Sequence, residues 1–127
     1  MGLRVEEDRL PRGMNGYYCD ALGLIVLHDK LNARQRRCTL QHELIHARYH
    51  DTGCGSIIGL RAESRARRET ALTLISPIEY QLAEATYDGE AYSMAVELGV
   101  TMQVLRDYQT LLEQRVRYGA EMVGQQP

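Results

Sequence analysis

Leu24-Ile25-Val26-Leu27-His28 is an apolar, β-branched run, which predicts a strand buried on both faces or nearly so. Met14 to Cys19, carrying Tyr17 and Tyr18, predicts a shorter strand before it. Asp20-Ala21-Leu22-Gly23 between them has turn character, so the two runs read as a hairpin. Asn32 is a good N-cap for a helix from about Ala33 to His50, with Leu40 and Leu44 forming an apolar stripe that packs on the core. Asp51 to Ser56 reads as a loop, and a second helix should run from near Leu60 to Ile75. Ser76-Pro77-Ile78-Glu79 is a capping box with Pro at the first helical position, predicting a helix to about Tyr87. Asp88 should cap a helix from Gly89 to Leu98, ended by Gly99, and Thr101 a last helix to about Tyr118.

These elements predict a small α+β fold, mostly helical. A β-hairpin or small sheet packs beside the first helix, and the C-terminal helices follow. Residues 1–127 read as a single domain, with 1–13 charged and flexible and 76–127 a helical C-terminal subregion. Ala91 to Thr110 resembles a helix-turn-helix unit, with Ala95 and Gly99 at its small positions and Met94, Leu98, Val100 and Leu105 at core positions.

Charge narrows the partners. Residues 1–75 carry 12 Lys and Arg against 9 Asp and Glu, whereas residues 76–127 carry 3 against 8. DNA affinity comes largely from phosphate neutralisation, so direct nucleic-acid binding by the acidic C-terminal helices is not expected. An acidic surface there could instead dock a basic regulator. Arg34, Arg36 and Arg37, at the wrong end of their helix for its dipole, read as a solvated basic face, the alternative being a patch for an acidic substrate. No segment has the 18 consecutive apolar residues of a membrane span, and Met1 to Arg12 lacks the apolar stretch of a signal peptide. The three cysteines, Cys19, Cys38 and Cys54, are odd in number and widely spaced, which fits reduced thiols in the cytoplasm.

The chemistry lies in Leu40-Gln41-His42-Glu43-Leu44-Ile45-His46, which contains His-Glu-x-x-His, the zinc-protease helix pattern. Residues four apart share a helix face, so His42 and His46 can offer two imidazoles to one metal ion. Glu43 lies within reach of a water on that ion without being a ligand. Zinc brings the pKa of such a water to roughly 7, and a neighbouring carboxylate can take its proton and pass it to a leaving amine. One Zn2+ per chain is the expected cofactor.

A third protein ligand is still needed, and Glu is the usual partner of two histidines in a catalytic site. Glu63 opens the second helix, followed by Ala66, which would let the two helices approach closely. Glu69 is the other carboxylate on that helix. His50 would stand roughly 12 Å along a straight helix from His42, too far to share one ion.

The segment from Gln35 to Pro77 resembles the ImmA/IrrE-type zinc metallopeptidases, many of them from phages and mobile elements. The likeness is carried by Arg36-Arg37-Cys38-Thr39-Leu40-Gln41-His42-Glu43-Leu44-Ile45-His46-Ala47, by Glu63-Ser64-Arg65-Ala66, and by Thr70-Ala71 and Leu74-Ile75-Ser76-Pro77. The resemblance implies His42, His46 and Glu63 as zinc ligands and Glu43 as general base. It also implies a regulatory protease whose protein substrate is a DNA-binding repressor. The family usually places Asn or Asp after the alanine of the second block, where it supports a ligand histidine; here that residue is Arg67.

Substrate is expected to lie extended beside Leu24 to His28 by β-augmentation. Tyr49, Tyr80 and His28 are the candidate donors to a tetrahedral intermediate. Cys38, one turn before His42, reads as a small buried thiol; Cys54 is either a free loop thiol or a residue able to close the open metal position. Two other functions compete with hydrolysis: a metal-bearing anti-repressor that acts by binding, and a helix-turn-helix DNA-binding regulator.

Overall fold

The computed structural model describes residues 2–52 and 59–124, with side chains of the last helix as far as Arg117. It is an α+β fold, mostly helical. The strands are β1 (Arg4–Asp8), β2 (Gly16–Cys19) and β3 (Leu24–His28), and a 3-10 turn, Asp20–Leu22, joins the last two. Among the described residues five helices follow: α1 (Ala33–Arg48), α2 (Leu60–Leu74), α3 (Pro77–Tyr87), α4 (Ala91–Leu98) and α5 (Met102–Gly124).

β3 lies at the centre of the sheet, antiparallel to β2 and parallel to β1. Its central position explains the unbroken apolar run: Ile25, Val26 and Leu27 are all buried. Ile25 and Leu27 join Tyr18 in a small core, against which Leu31, Leu40 and Ala47 pack. Each such aliphatic side chain contributes roughly 1.5–3 kcal/mol by leaving water.

Arg4–Asp8, in the stretch expected to be flexible, forms β1. All five of its residues are exposed, so no apolar pattern announces it. The backbone holds it, by ladder pairing with β3 and by terminal bonds from Arg4 N to Gly23 O and from Asp29 N to Asp8 O.

α1 begins where the sequence predicts. The Asn32 side chain accepts from Gln35 N, and the Gln35 side chain accepts from Asn32 N in return. Such caps contribute about 1 kcal/mol. Its buried positions are Cys38, Glu43, Ile45 and His46. Leu40 packs on the small core but is only partly buried, and Leu44 is exposed, so only the Leu40 end of the expected stripe faces the core. A second, larger core joins Cys38 to Ala71 and Ile75 of the α2 end and to α3, α4 and α5, through Tyr80, Met94, Leu105 and Tyr108.

Other expected features differ. α4 is capped by Glu90, whose Oε2 accepts from Ser93 N at 2.6 Å. Asp88 instead takes the left-handed conformation that ends α3. Arg36 and Arg37 are exposed, as a solvated basic face requires, and Arg34 is partly buried, but all three have partners. Arg34 donates to Val100 O, and Arg37 to Leu98 O and Gly99 O, so both neutralise the carbonyl end of α4. Arg36 pairs with Glu7 of β1. Thr101 caps α5 as predicted, its Oγ1 accepting from Val104 N. Cys38 is a free, buried thiol and Cys19 is disulfide-bonded, so the expectation of reduced thiols does not hold at Cys19. Among the described residues, no helix is long and apolar enough to cross a membrane.

Candidate metal centre

α1 and α2 close on each other at Ala66, which is fully buried. That approach brings Glu63, in the first turn of α2, onto the two histidines. Glu63 Oε1 lies 3.0 Å from both His42 Nε2 and His46 Nε2, and Oε2 lies 2.9 Å from His42 Nε2. Ligand atoms of the three residues all fall within 4.8 Å of one another. The rings of His42 and His46 meet edge to face, with centroids 4.9 Å apart.

His46 is 1% exposed, and its Nδ1 lies 2.8 Å from Asp51 Oδ2. An ionised carboxylate only accepts, so Nδ1 carries the proton. A neutral His46 then points its Nε2 lone pair at Glu63 Oε1, acceptor against acceptor. That contact requires positive charge at the site, either a second proton on the ring or a cation shared by the three side chains. Two imidazoles and a carboxylate make a donor set of catalytic zinc type, and the residues present fit a divalent metal.

The electrostatics follow from these contacts. Hydrogen bonds from His42 and His46 hold the Glu63 carboxyl well below the usual carboxylate range, against the opposing effect of burial. Burial alone would lower the His46 pKa, but the bonds to Glu63 and Asp51 outweigh it and leave it raised. Glu43 is 7% exposed. Burial raises its carboxyl above the ordinary value, although His42 and His46 pull it down.

Two cavities, about 360 and 440 Å³, meet at His42, Glu43 and Glu63. One opens toward Arg67, Thr70 and Gln103. The other opens toward Asn15, Tyr17 and Leu60. A cleft therefore passes across the His42–His46–Glu63 group, with Glu43 in its wall.

The other sequence candidates lie elsewhere. α1 stops before His50, which has a φ of 51° and bonds Asp20 through Nδ1 at 2.9 Å. Glu69 accepts from Tyr49 Oη at 2.8 and 3.1 Å, which removes both from the centre. Tyr80 packs on Tyr108 in the larger core, with ring centroids 5.0 Å apart. His28 Nδ1 accepts from Lys30 N beyond the end of β3. Cys38 Sγ accepts from Thr101 N, consistent with a buried structural thiol. Cys54 lies outside the described residues. Thr101, which caps α5, and Gln103 and Asp107 of α5 also line the cleft.

Sequence reasoning missed Asp51, Arg65 and the Arg67–Asp107 pair. Asp51 follows His46 by five positions, a spacing that no straight helix makes adjacent. Arg67 Nη2 donates to Asp107 Oδ1 at 2.7 Å, so the position where an amide or acid was expected ties α2 to α5.

Comparison with known families returns one finding. A peptidase family model described as the IrrE N-terminal-like domain matches residues 1–123. No curated protein and no solved structure matches the chain.

Proposed function

Since the chain belongs to the IrrE N-terminal-like peptidase family, we propose that it is a zinc-dependent endopeptidase of regulatory type. It hydrolyses a peptide bond in a protein partner such as a transcriptional repressor. The observation that carries this reading is the convergence of His42, His46 and Glu63 in a cleft whose wall is Glu43.

His42, His46 and Glu63 would hold the ion. Zinc bound there supplies Lewis acidity, which polarises a carbonyl and makes water acidic near neutral pH. Glu43 takes a proton from the attacking water and delivers it to the leaving amine nitrogen. Its buried position, which favours the protonated form, suits a group that must hold a proton between those two events. Arg67 stands on the cleft with Nε and Nη2 engaged by Asp107, leaving guanidinium N–H groups for a substrate carbonyl.

The substrate chain cannot add to β3, which is paired on both sides. The open edge beside the centre is β2, whose Gly16 and Tyr17 line the cleft. An extended peptide pairing with β2 would cross the metal ligands.

The test uses Glu43→Gln. The expected result is full zinc content with no cleavage of a proteome-derived peptide library that the wild-type protein cuts. A wild-type protein that takes up no zinc, or cleavage unchanged in Glu43→Gln, overturns the reading.

A further inference from the structure

α1 ends in a reversing turn. His50 adopts the left-handed conformation, Asp51 N donates to His46 O at 3.0 Å and His50 N to Ala47 O at 3.1 Å. This pair of bonds is the Schellman arrangement, which closes a helix by folding the chain back on its last turn. Here it returns Asp51 to the residue five positions earlier, so Asp51 meets His46 twice, through its backbone N–H and through its carboxylate at Nδ1.

The carboxylate is itself held. Arg65 Nη2 donates to Asp51 Oδ1 at 2.5 Å and to Oδ2 at 2.6 Å. The Arg65 guanidinium lies over the Tyr49 ring, 3.9 Å from its centroid, and the Tyr49 hydroxyl donates to Glu69. Arg65 sits two positions after Glu63, so one turn of α2 supplies both a ligand carboxylate and the brace for a ligand imidazole. Arg65 Nε is buried with no hydrogen-bond partner. The guanidinium is thus placed for the Asp51 contact at the expense of its own full satisfaction.

We infer that Asp51, clamped by Arg65, is a positioning residue of the metal centre. It fixes the His46 ring with its proton on Nδ1 and its Nε2 lone pair toward Glu63, and it takes over the ligand-supporting role left open by Arg67. The inference rests on the metal-centre reading above. A carboxylate behind a ligand imidazole sets its tautomer and raises its basicity, and losing such a partner weakens metal binding about 10–100-fold. A carboxylate serving only to end the helix would have no such effect, because the Schellman bonds are made by the backbone.

The experiment is zinc affinity by competition with a chromophoric chelator, alongside thermal unfolding and the absorption spectrum of the cobalt-substituted protein. Asp51→Asn, Asp51→Ala and Arg65→Gln should each bind zinc about 10–100-fold more weakly and shift the cobalt bands while remaining folded. Arg65→Lys, which keeps a cation at the Asp51 carboxylate, should recover most of the affinity. Tyr49→Phe, which leaves the ring beneath Arg65, should match the wild type. Wild-type affinity and spectra in folded Asp51→Ala and Arg65→Gln would overturn the inference and leave the metal centre standing. Failure of the wild-type protein itself to bind zinc would overturn both.

Discussion

Arg67 grips Asp107 with two nitrogens, Nη2 to Oδ1 at 2.7 Å and Nε to Oδ2 at 3.1 Å, and so joins the middle of α2 to the first half of α5 at the edge of the cleft. The guanidinium is about half exposed, so solvent screening limits what the pair contributes. Its two-point geometry places it at the upper end of surface pairs. A double-mutant cycle with Arg67→Ala and Asp107→Ala, followed by urea unfolding, should give a coupling of about 0.5–1 kcal/mol that shrinks at high salt. Zero coupling at low salt would show that this pair adds nothing to the docking of α5 on α2.

Thr70 is 1% exposed, and its hydroxyl has no hydrogen-bond partner although it lines the cleft. Replacing an unsatisfied buried hydroxyl by a methyl of similar shape removes a desolvation cost. Thr70→Val should therefore keep or raise the melting temperature, by up to about 1 kcal/mol of stability. A loss of that size would mean the hydroxyl is satisfied by an ordered water. Loss of peptide cleavage at unchanged stability would assign the hydroxyl to substrate.

Gly16 sits where β2 crosses α1. A Cβ there would stand 2.8 Å from Thr39 Cγ2 and 2.9 Å from the Val26 carbonyl oxygen. Gly16→Ala should cost about 1–3 kcal/mol, the usual penalty of overpacking. Adding Thr39→Ser, which removes the first clash, should recover only part of it, since the Val26 backbone cannot retreat without breaking the ladder. Chemical denaturation of the single and double variants measures both effects.

Tyr18 is 2% exposed and donates its hydroxyl to Asp20. Burial, then the Asp20 bond, raises its pKa from 10.0 to about 12. The folded state thus favours the protonated phenol. The resulting stability is complete below pH 10 and is lost as pH rises from there through about 12. Unfolding curves between pH 9 and 12 should show a decline in the wild type that is smaller in Tyr18→Phe. Parallel declines would place the alkaline sensitivity elsewhere.

Much of this structure was legible in the sequence, for reasons that can be assigned residue by residue. The β2–β3 hairpin follows from apolar runs around a turn, and α1 and α3 from Asn32 and from Ser76 with Pro77. The pairing of His42 with His46 follows from helical spacing, and Glu63 is singled out as their partner by the family resemblance; the three lie together. What escaped depends on backbone or long-range geometry. β1 is fixed by ladder bonds that leave all its side chains exposed. His50 ends α1 although it is not the glycine that usually marks such a turn. Asp51 meets His46 only because of that turn, and Arg34 and Arg37 find carbonyls more than sixty positions away.

Those last contacts bear on the order in which the protein comes into being. A chain made from its N-terminus presents His42, His46 and Glu63 well before Leu98, Gly99 and Val100, the carbonyls that Arg34 and Arg37 hold from 61 to 66 positions upstream. During synthesis, His42, His46 and Glu63 exist for some time without these anchors of the helix that carries two of them. The helix that carries His42 and His46 therefore completes its long-range anchors only after Leu98 to Val100 have been made.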